Sequence, residues 1–193
     1  MKKYELTTEC KEFLGRKLYR IKSLIDFDSI KEGDLGGWIE KKENLSQEGN
    51  AWVCDNAIVS DNATVSDNAT VSGNAWVCDN ATVSGYATVS DNATVYGYAT
   101  VSGNATVYGN AEIKKKTHLL EIGFIGSRDD VTTFFRTKDK GIFVKCGCFE
   151  GDIDDFEKKV QKVHGDDKHG RVYALAIAMA REQIELDKEA ENE

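Results

Sequence analysis

Nowhere in its 193 residues does the chain hold a run of eighteen apolar residues, so no membrane-crossing helix and no membrane partner is expected. Its opening, Met1-Lys2-Lys3-Tyr4-Glu5, lacks the apolar core of a secretory signal, which points to the cytoplasm. Cysteine is sparse and odd in number. Cys10, Cys54, Cys78, Cys146 and Cys148 are scattered as reduced thiols would be, not grouped into a disulfide framework. Positive charge is not in surplus: the net charge is −8, balanced up to residue 48 and acidic beyond it. No strongly basic face is on offer, so a long nucleic acid is an unexpected partner. The glycine-dense Gly33-Asp34-Leu35-Gly36-Gly37-Trp38-Ile39 is not followed by Lys or Ser/Thr in phosphate-loop spacing, so no cofactor site is read from it. Histidine is nearly absent. His118, His164 and His169 all lie outside residues 49–114, so that stretch carries no imidazole base and no set of zinc-binding imidazoles.

What fills residues 49–114 is one hexapeptide written eleven times, from GNAWVC through DNATVS to GNAEIK. Alanine holds the third place from Ala51 to Ala111, and the fifth is valine from Val53 to Val107 and then Ile113. A period that never slips marks a solenoid. Within each unit, Ala-Thr-Val-Ser alternates small or branched apolar side chains with polar ones, the two-residue period of a strand with one dry face. Asp-Asn, Gly-Asn or Gly-Tyr then breaks the strand, with Asn and Gly expected to take positive φ. Every unit buries the same face, which winding accommodates: three units per triangular coil, each strand pairing in parallel with the one eighteen residues on.

Stacking at eighteen sorts the outward residues into three walls. The first carries Trp52, Thr70, Thr88 and Thr106 with Tyr108. The second carries Ile58, Trp76, Thr94 and Glu112 with Tyr96. The third carries only Thr64, Thr82 and Thr100 with serines. Exposed Trp52, Ile58, Trp76 and Tyr96 call for something to cover them, either a second copy or the chain's own terminal segments. Tyr86 and Tyr98 replace Asn at turns and jut from corners, lining a cleft or decorating the surface. The flat threonine wall is similar to an ice-binding surface, an idea that its serine rows and the apolar other walls oppose.

Residues 1–48 read as a cap over the open coil end, with short strands at 4–7 and 17–21. Counting back eighteen from Val53 places Leu35 in an irregular first coil. Residues 115–193 change grammar: strands at 119–125, 131–137 and 142–148, a helix capped by Asp152 or its neighbours that runs to about 163, and a second at about 171–187. Phe156, Val160 and Val163 are expected on one buried face, and Tyr173, Ala174, Ile177, Ala178 and Ile184 on another. Cys146 and Cys148, two apart on a strand, point the same way and into the small core; a metal would need two further ligands. Ser127, Arg128, Thr132, Thr133, Arg136 and Lys138 cluster around the first hairpin. They suit a phosphate or carboxylate, or else pair with Asp129, Asp130 and Asp139.

The pairs Val59/Ala63, Val65/Ala69 and Val71/Ala75, an aliphatic residue followed four places later by a small one, closely resemble the hexapeptide-repeat left-handed parallel β-helix family. The opening G-D-L-G-G-W-I, then Asn44-Leu45-Ser46, then G-N-A-W-V, resembles a bacterial and phage subgroup named as acyltransferases. The later run from Ile125 to Gly141, with C-G-C-F-E-G after it, resembles a C-terminal domain of phage hexapeptide proteins. The resemblance implies a mainly β protein, a left-handed β-helix with a small C-terminal α+β domain, and a homotrimer packed through the walls that hold Trp52, Ile58, Trp76 and Tyr96. Acyltransferases of this kind use a histidine general base, and the repeats have none, leaving His118 or His164 to be borrowed from elsewhere.

Three functions are in view. The first is non-catalytic capture of a small anionic, nucleotide-like ligand, of which phage sequestration of a host signalling nucleotide is the concrete form. Ser127, Arg128, Thr133, Arg136 and Lys138 are its expected charge and hydroxyl contacts, and Tyr86, Tyr98 and Tyr108 its stacking surfaces. The others are acyl transfer from an acyl-coenzyme A, and a plain spacer.

Overall fold

The structure is a computed structural model that describes residues 2–186. The chain divides into two compact units, one running to Asn110 together with Lys114–Lys116, the other made of Ala111–Ile113 and the chain from Thr117 on. The cap and the coils thus share a unit, and the last repeat clusters with the C-terminal residues.

In the first unit β1 (Tyr4–Phe13), β2 (Arg16–Ser23) and β3 (Leu35–Ile39) precede a ladder of two-residue strands. These are β4 (Trp52–Val53), β5 (Ile58–Val59), β6 (Thr64–Val65), β7 (Thr70–Val71), β8 (Trp76–Val77), β9 (Thr82–Val83), β10 (Thr88–Val89), β11 (Thr94–Val95), β12 (Thr100–Val101) and β13 (Thr106–Val107). They stack as three parallel walls: β4-β7-β10-β13, β6-β9-β12, and β3-β5-β8-β11 with β1 and β2 continuing its outer edge. Register is eighteen throughout the repeats, as in Thr88 against Thr70 and Thr106. Each valine and alanine of these repeats is buried in the tube. This is a parallel β-solenoid.

The turns differ from expectation in one residue. Positive φ falls on the first turn place, at Asp55, Asp61, Asp67, Asp79 and Asp91 or at glycine, and not on the asparagine that follows. Each such aspartate faces its counterpart one coil on: Gly73, Gly85 and Gly97 donate their N–H groups to Asp55, Asp67 and Asp79 at 3.0, 2.9 and 3.0 Å. The asparagines stack instead, Asn50 donating to Asn68 at 3.0 Å.

The first coil also departs from the count of eighteen. Ile39 pairs with Val59 and Leu45 bridges to Val65, twenty residues apart in both cases, because the chain takes eight residues from Leu45 to Val53 where a repeat takes six, the two extra falling in the bend before Ala51. Leu35 therefore lies exposed and pairs with Lys22, not with the coil at Val53. The glycine density has a steric cause: a Cβ on Gly36 would stand 2.5 Å from the Val53 carbonyl, and one on Gly37 2.7 Å from a Val53 methyl.

The second unit opens with β14 (Glu112–Ile113). An antiparallel sheet follows, β15 (Leu119–Ile125), β16 (Asp130–Arg136), β17 (Ile142–Cys146) and β18 (Phe149–Asp152), in sequence order. Helices α1 (Ile153–His164) and α2 (Lys168–Gln183) pack on it around Phe134, Val144, Phe156, Tyr173 and Ile177. Asp152 caps α1 by accepting from the Asp155 N–H at 2.8 Å, and Asp167 caps α2 through Gly170 at 2.8 Å. The expected strand at 142–148 is two strands, because Gly147 turns at φ 55°. Cys148 is consequently exposed, while Cys146 alone faces inward, accepting from Thr132 Oγ1 at 3.2 Å. Val163 stands on the open side of α1, and Ala174 and Ala178 on the open side of α2, where Ala176 and Ala180 take the buried positions. The far end of the expected second helix, at Asp187, lies outside the described residues.

Candidate functional site

The expected anion site on the C-terminal hairpin does not assemble. Ser127 and Arg128 are exposed at the β15–β16 turn, and Lys138 is exposed beyond the far end of β16. Six strand steps separate Asp130 from Arg136, about 20 Å at a strand's rise, so one small anion cannot touch both ends. Thr133 and Arg136 are buried, and the Arg136 guanidinium is ion-paired with Glu112. Tyr86 and Tyr98 are exposed as expected, but at corners that lead into different walls, the one holding β10 and the one holding β12. Tyr108 is half-buried, as is Tyr96, which has the Lys114 ammonium 5.9 Å from its ring centre.

The apolar side chains of the walls are covered by the chain itself. Trp52 is buried edge-on against Tyr4 and Phe27, with ring centres 6.3 and 5.5 Å away. Trp76 lies edge-on to Phe13 at 5.3 Å, and Leu18, Trp38 and Ile58 complete that cluster. Of the two covers that the sequence left open for Trp52, Ile58 and Trp76, a second copy or the chain's own terminal segments, the β1–β2 hairpin and the 24–30 loop supply the second.

The same cap builds the hollow of the first unit. Between the pairs Leu6–Ile21 and Cys10–Tyr19, three residues of β1 stand opposite Arg20 alone, so β1 bows away from β2. Beside the bow is a cavity of about 490 Å³, lined by Lys2, Tyr4, Leu6, Tyr19, Lys42 and Gln47 with Glu5 and Thr7. Its far wall is held before any ligand arrives. The Tyr4 hydroxyl donates to the Leu45 carbonyl at 2.7 Å and lies 2.9 Å from that of Lys42. Gln47 accepts from the Lys3 N–H at 2.8 Å and donates to the Tyr4 carbonyl at 3.2 Å. Burial pushes the Tyr4 hydroxyl up to about 12, so it remains a hydrogen-bond donor at neutral pH. Volume and lining fit a small organic molecule that offers a flat surface to Tyr19 and negative charge to the lysines.

Asp61, Cys78 and Asp79 bring three metal-competent atoms within 4.8 Å of one another. Their partners are already chosen. Arg16 Nε donates to Asp61 at 2.7 Å, the Asp79 N–H donates to Asp61 at 3.3 Å, and Gly97 donates to Asp79. Burial, and then the two carboxylates, push the Cys78 thiol up to about 12, so it stays protonated. The group serves the turn ladder and holds the hairpin through Arg16.

Of the histidines, His118 is fully buried and closed to a substrate. His164 Nδ1 lies 3.4 Å from Asp167, with Tyr173 and His169 beside it. It borders a smaller hollow of about 110 Å³ formed with Phe149, Phe156, Val160 and Cys146. Sequence reasoning missed the cap hollow because the bulge that opens it is a register shift between strands, which leaves no local mark in Thr7-Thr8-Glu9.

A family profile described as the YdcK β-solenoid repeat matches residues 63–78, 75–90 and 87–103. An Escherichia coli (strain K12) protein named "Uncharacterized acetyltransferase YdcK" is 40% identical over 67 residues, covering 30% of this chain and 21% of that protein. The chain thus spans about a fifth of that relative's length. No described helix is long and apolar enough to cross a membrane.

Proposed function

We propose that this chain, whose repeat stretch fits the hexapeptide-repeat β-helix family, captures a small anionic, nucleotide-like ligand and leaves it chemically unchanged. The observation that carries the proposal is the preformed cavity of about 490 Å³ in the cap, where two lysines and two tyrosines converge. A planar ring stacks on Tyr19, and Lys2 and Lys42 receive the negative group as mobile point charges. Tyr4 keeps its proton, and Gln47 is engaged with the backbone of Lys3 and Tyr4. The likeness of the later sequence to phage proteins gives the proposal its specific form, sequestration of a host signalling nucleotide.

Calorimetric titration with 5′-AMP and with adenosine tests this. AMP is expected to bind at least about tenfold more tightly than adenosine, an advantage worth about 1.4 kcal/mol that Lys2→Glu/Lys42→Glu removes. The nucleotide is expected back unaltered. Equal affinity for both compounds, or a chemically changed nucleotide, rejects the proposal.

The name of the E. coli relative and the His164–Asp167 contact favour a second function, acyl transfer with His164 as general base. It requires acetyl-coenzyme A turnover that disappears in His164→Ala and survives Lys2→Glu/Lys42→Glu.

A further inference from the structure

Helix α2 has two apolar faces, and its own unit uses one. Tyr173, Ala176, Ile177 and Ala180 point into the core. At 3.6 residues per turn the opposite side presents Leu175 and Met179, which are 71% and 53% exposed, flanked by the exposed Ala174 and Ala178. The stripe ends in exposed charge of opposite sign, Arg171 toward the helix start and Glu182 toward its end. An isolated Leu is ordinary on a surface. A stripe of Ala174, Leu175, Ala178 and Met179 centred opposite a fully packed face is a second packing surface.

We propose that this stripe docks on the same stripe of a second copy, α2 against α2 and antiparallel. The order of side chains along it is its own complement when reversed. With a two-fold axis between Ala176 and Ile177, Leu175 falls opposite Ala178 and Met179 opposite Ala174, so each bulky side chain meets a small one. The same axis sets Arg171 opposite Glu182, twice, once at each end of the contact. A parallel pair would place Arg171 on Arg171, Leu175 on Leu175 and Glu182 on Glu182, crowding the middle and repelling at both ends. A small apolar ligand would satisfy the stripe but leave the charge order without use. Sixteen residues make a helix about 24 Å long, which sets the contact at the small end of specific interfaces and its dissociation constant in the micromolar range.

Sedimentation velocity on the full chain, from about 1 to 200 µM at low and at high salt, is the test. A doubled species is expected to grow with concentration and to weaken in salt. Leu175→Lys/Met179→Lys removes it while circular dichroism is unchanged. Glu182→Arg alone and Arg171→Glu alone each weaken doubling by about tenfold or more, since like charges then face each other at both ends. Mixing the two single variants restores a one-to-one pair, and so does combining both changes in one chain. The mixing arm keeps the test sound at Arg171, whose guanidinium also donates to the Asp166 carbonyl. Absence of the doubled species over the whole range overturns the proposal, as does doubling that survives Leu175→Lys/Met179→Lys, or a mixture no better paired than its components.

Discussion

Three backbone carbonyls at the rim of the first coil, those of Glu48, Gly49 and Ala51, converge on the Lys3 ammonium at 3.4, 3.3 and 2.9 Å. The first coil has no rung before it along this wall, so its carbonyls need a donor from elsewhere, and Lys3 supplies one from beneath Phe27. Burial holds its pKa at about 8, well below the ordinary 10.5. Below pH 8 native and unfolded chains both hold this proton. Between about 8 and 10.4 the native chain has released it while the unfolded chain has not, so the unfolded state binds more protons and stability rises with pH. The stability of wild type relative to Lys3→Met is therefore expected to climb between pH 8 and 10.4, measured by denaturant unfolding at fixed salt. A relative stability that falls across that window would show the ammonium to be held more tightly when folded. Lys2-Lys3 in the sequence marks only a polar beginning; which of the two goes inside is settled by where the rim carbonyls stand.

At the scale of elements, the hairpin of β1 and β2 is what covers one apolar wall of the coils. Its Phe13 and Leu18 cover Trp76 and Ile58, and Tyr4 and the 24–30 loop cover Trp52. Trp52→Ala is expected to cost about 3–5 kcal/mol of unfolding free energy, the usual range for removing a buried large aromatic. The mass of the protein in solution is expected to stay the same. A mass that falls with little loss of stability would return Trp52 to a subunit interface. The sequence showed correctly that these aromatics needed a cover, since a period of eighteen places them outside the tube. It did not choose the cover, because a second copy and the chain's own hairpin offer the same apolar chemistry at the same positions. The spacing of eighteen likewise failed where two residues are added between Leu45 and Val53, since an insertion outside the repeats alters register without altering the repeats.

At the scale of the molecule, two units carry separate cores, one of valine and alanine inside the coils and one around Phe134, Phe156 and Tyr173. Separate cores predict separate unfolding events. Calorimetry is expected to record two transitions, with Phe156→Ala lowering one by several degrees and leaving the other in place. A single transition that shifts as a whole would mean the two cores unfold as one. The coil itself was legible from residues 49–114 alone, because a repeat that buries valine and alanine at a fixed interval admits one geometry, and each rung repeats the decision. The helix cap at or near Asp152 and the change of grammar after Lys114 were legible for a related reason: their signals are local. Side-chain groupings drawn from distant strands were not. Arg128 and Arg136 are near in sequence but lie at opposite ends of β16, and Lys2, Tyr19 and Lys42 are far apart in sequence yet line one hollow. Periodicity determines which way a side chain points; only strand register and the packing of non-repeating segments determine what it meets.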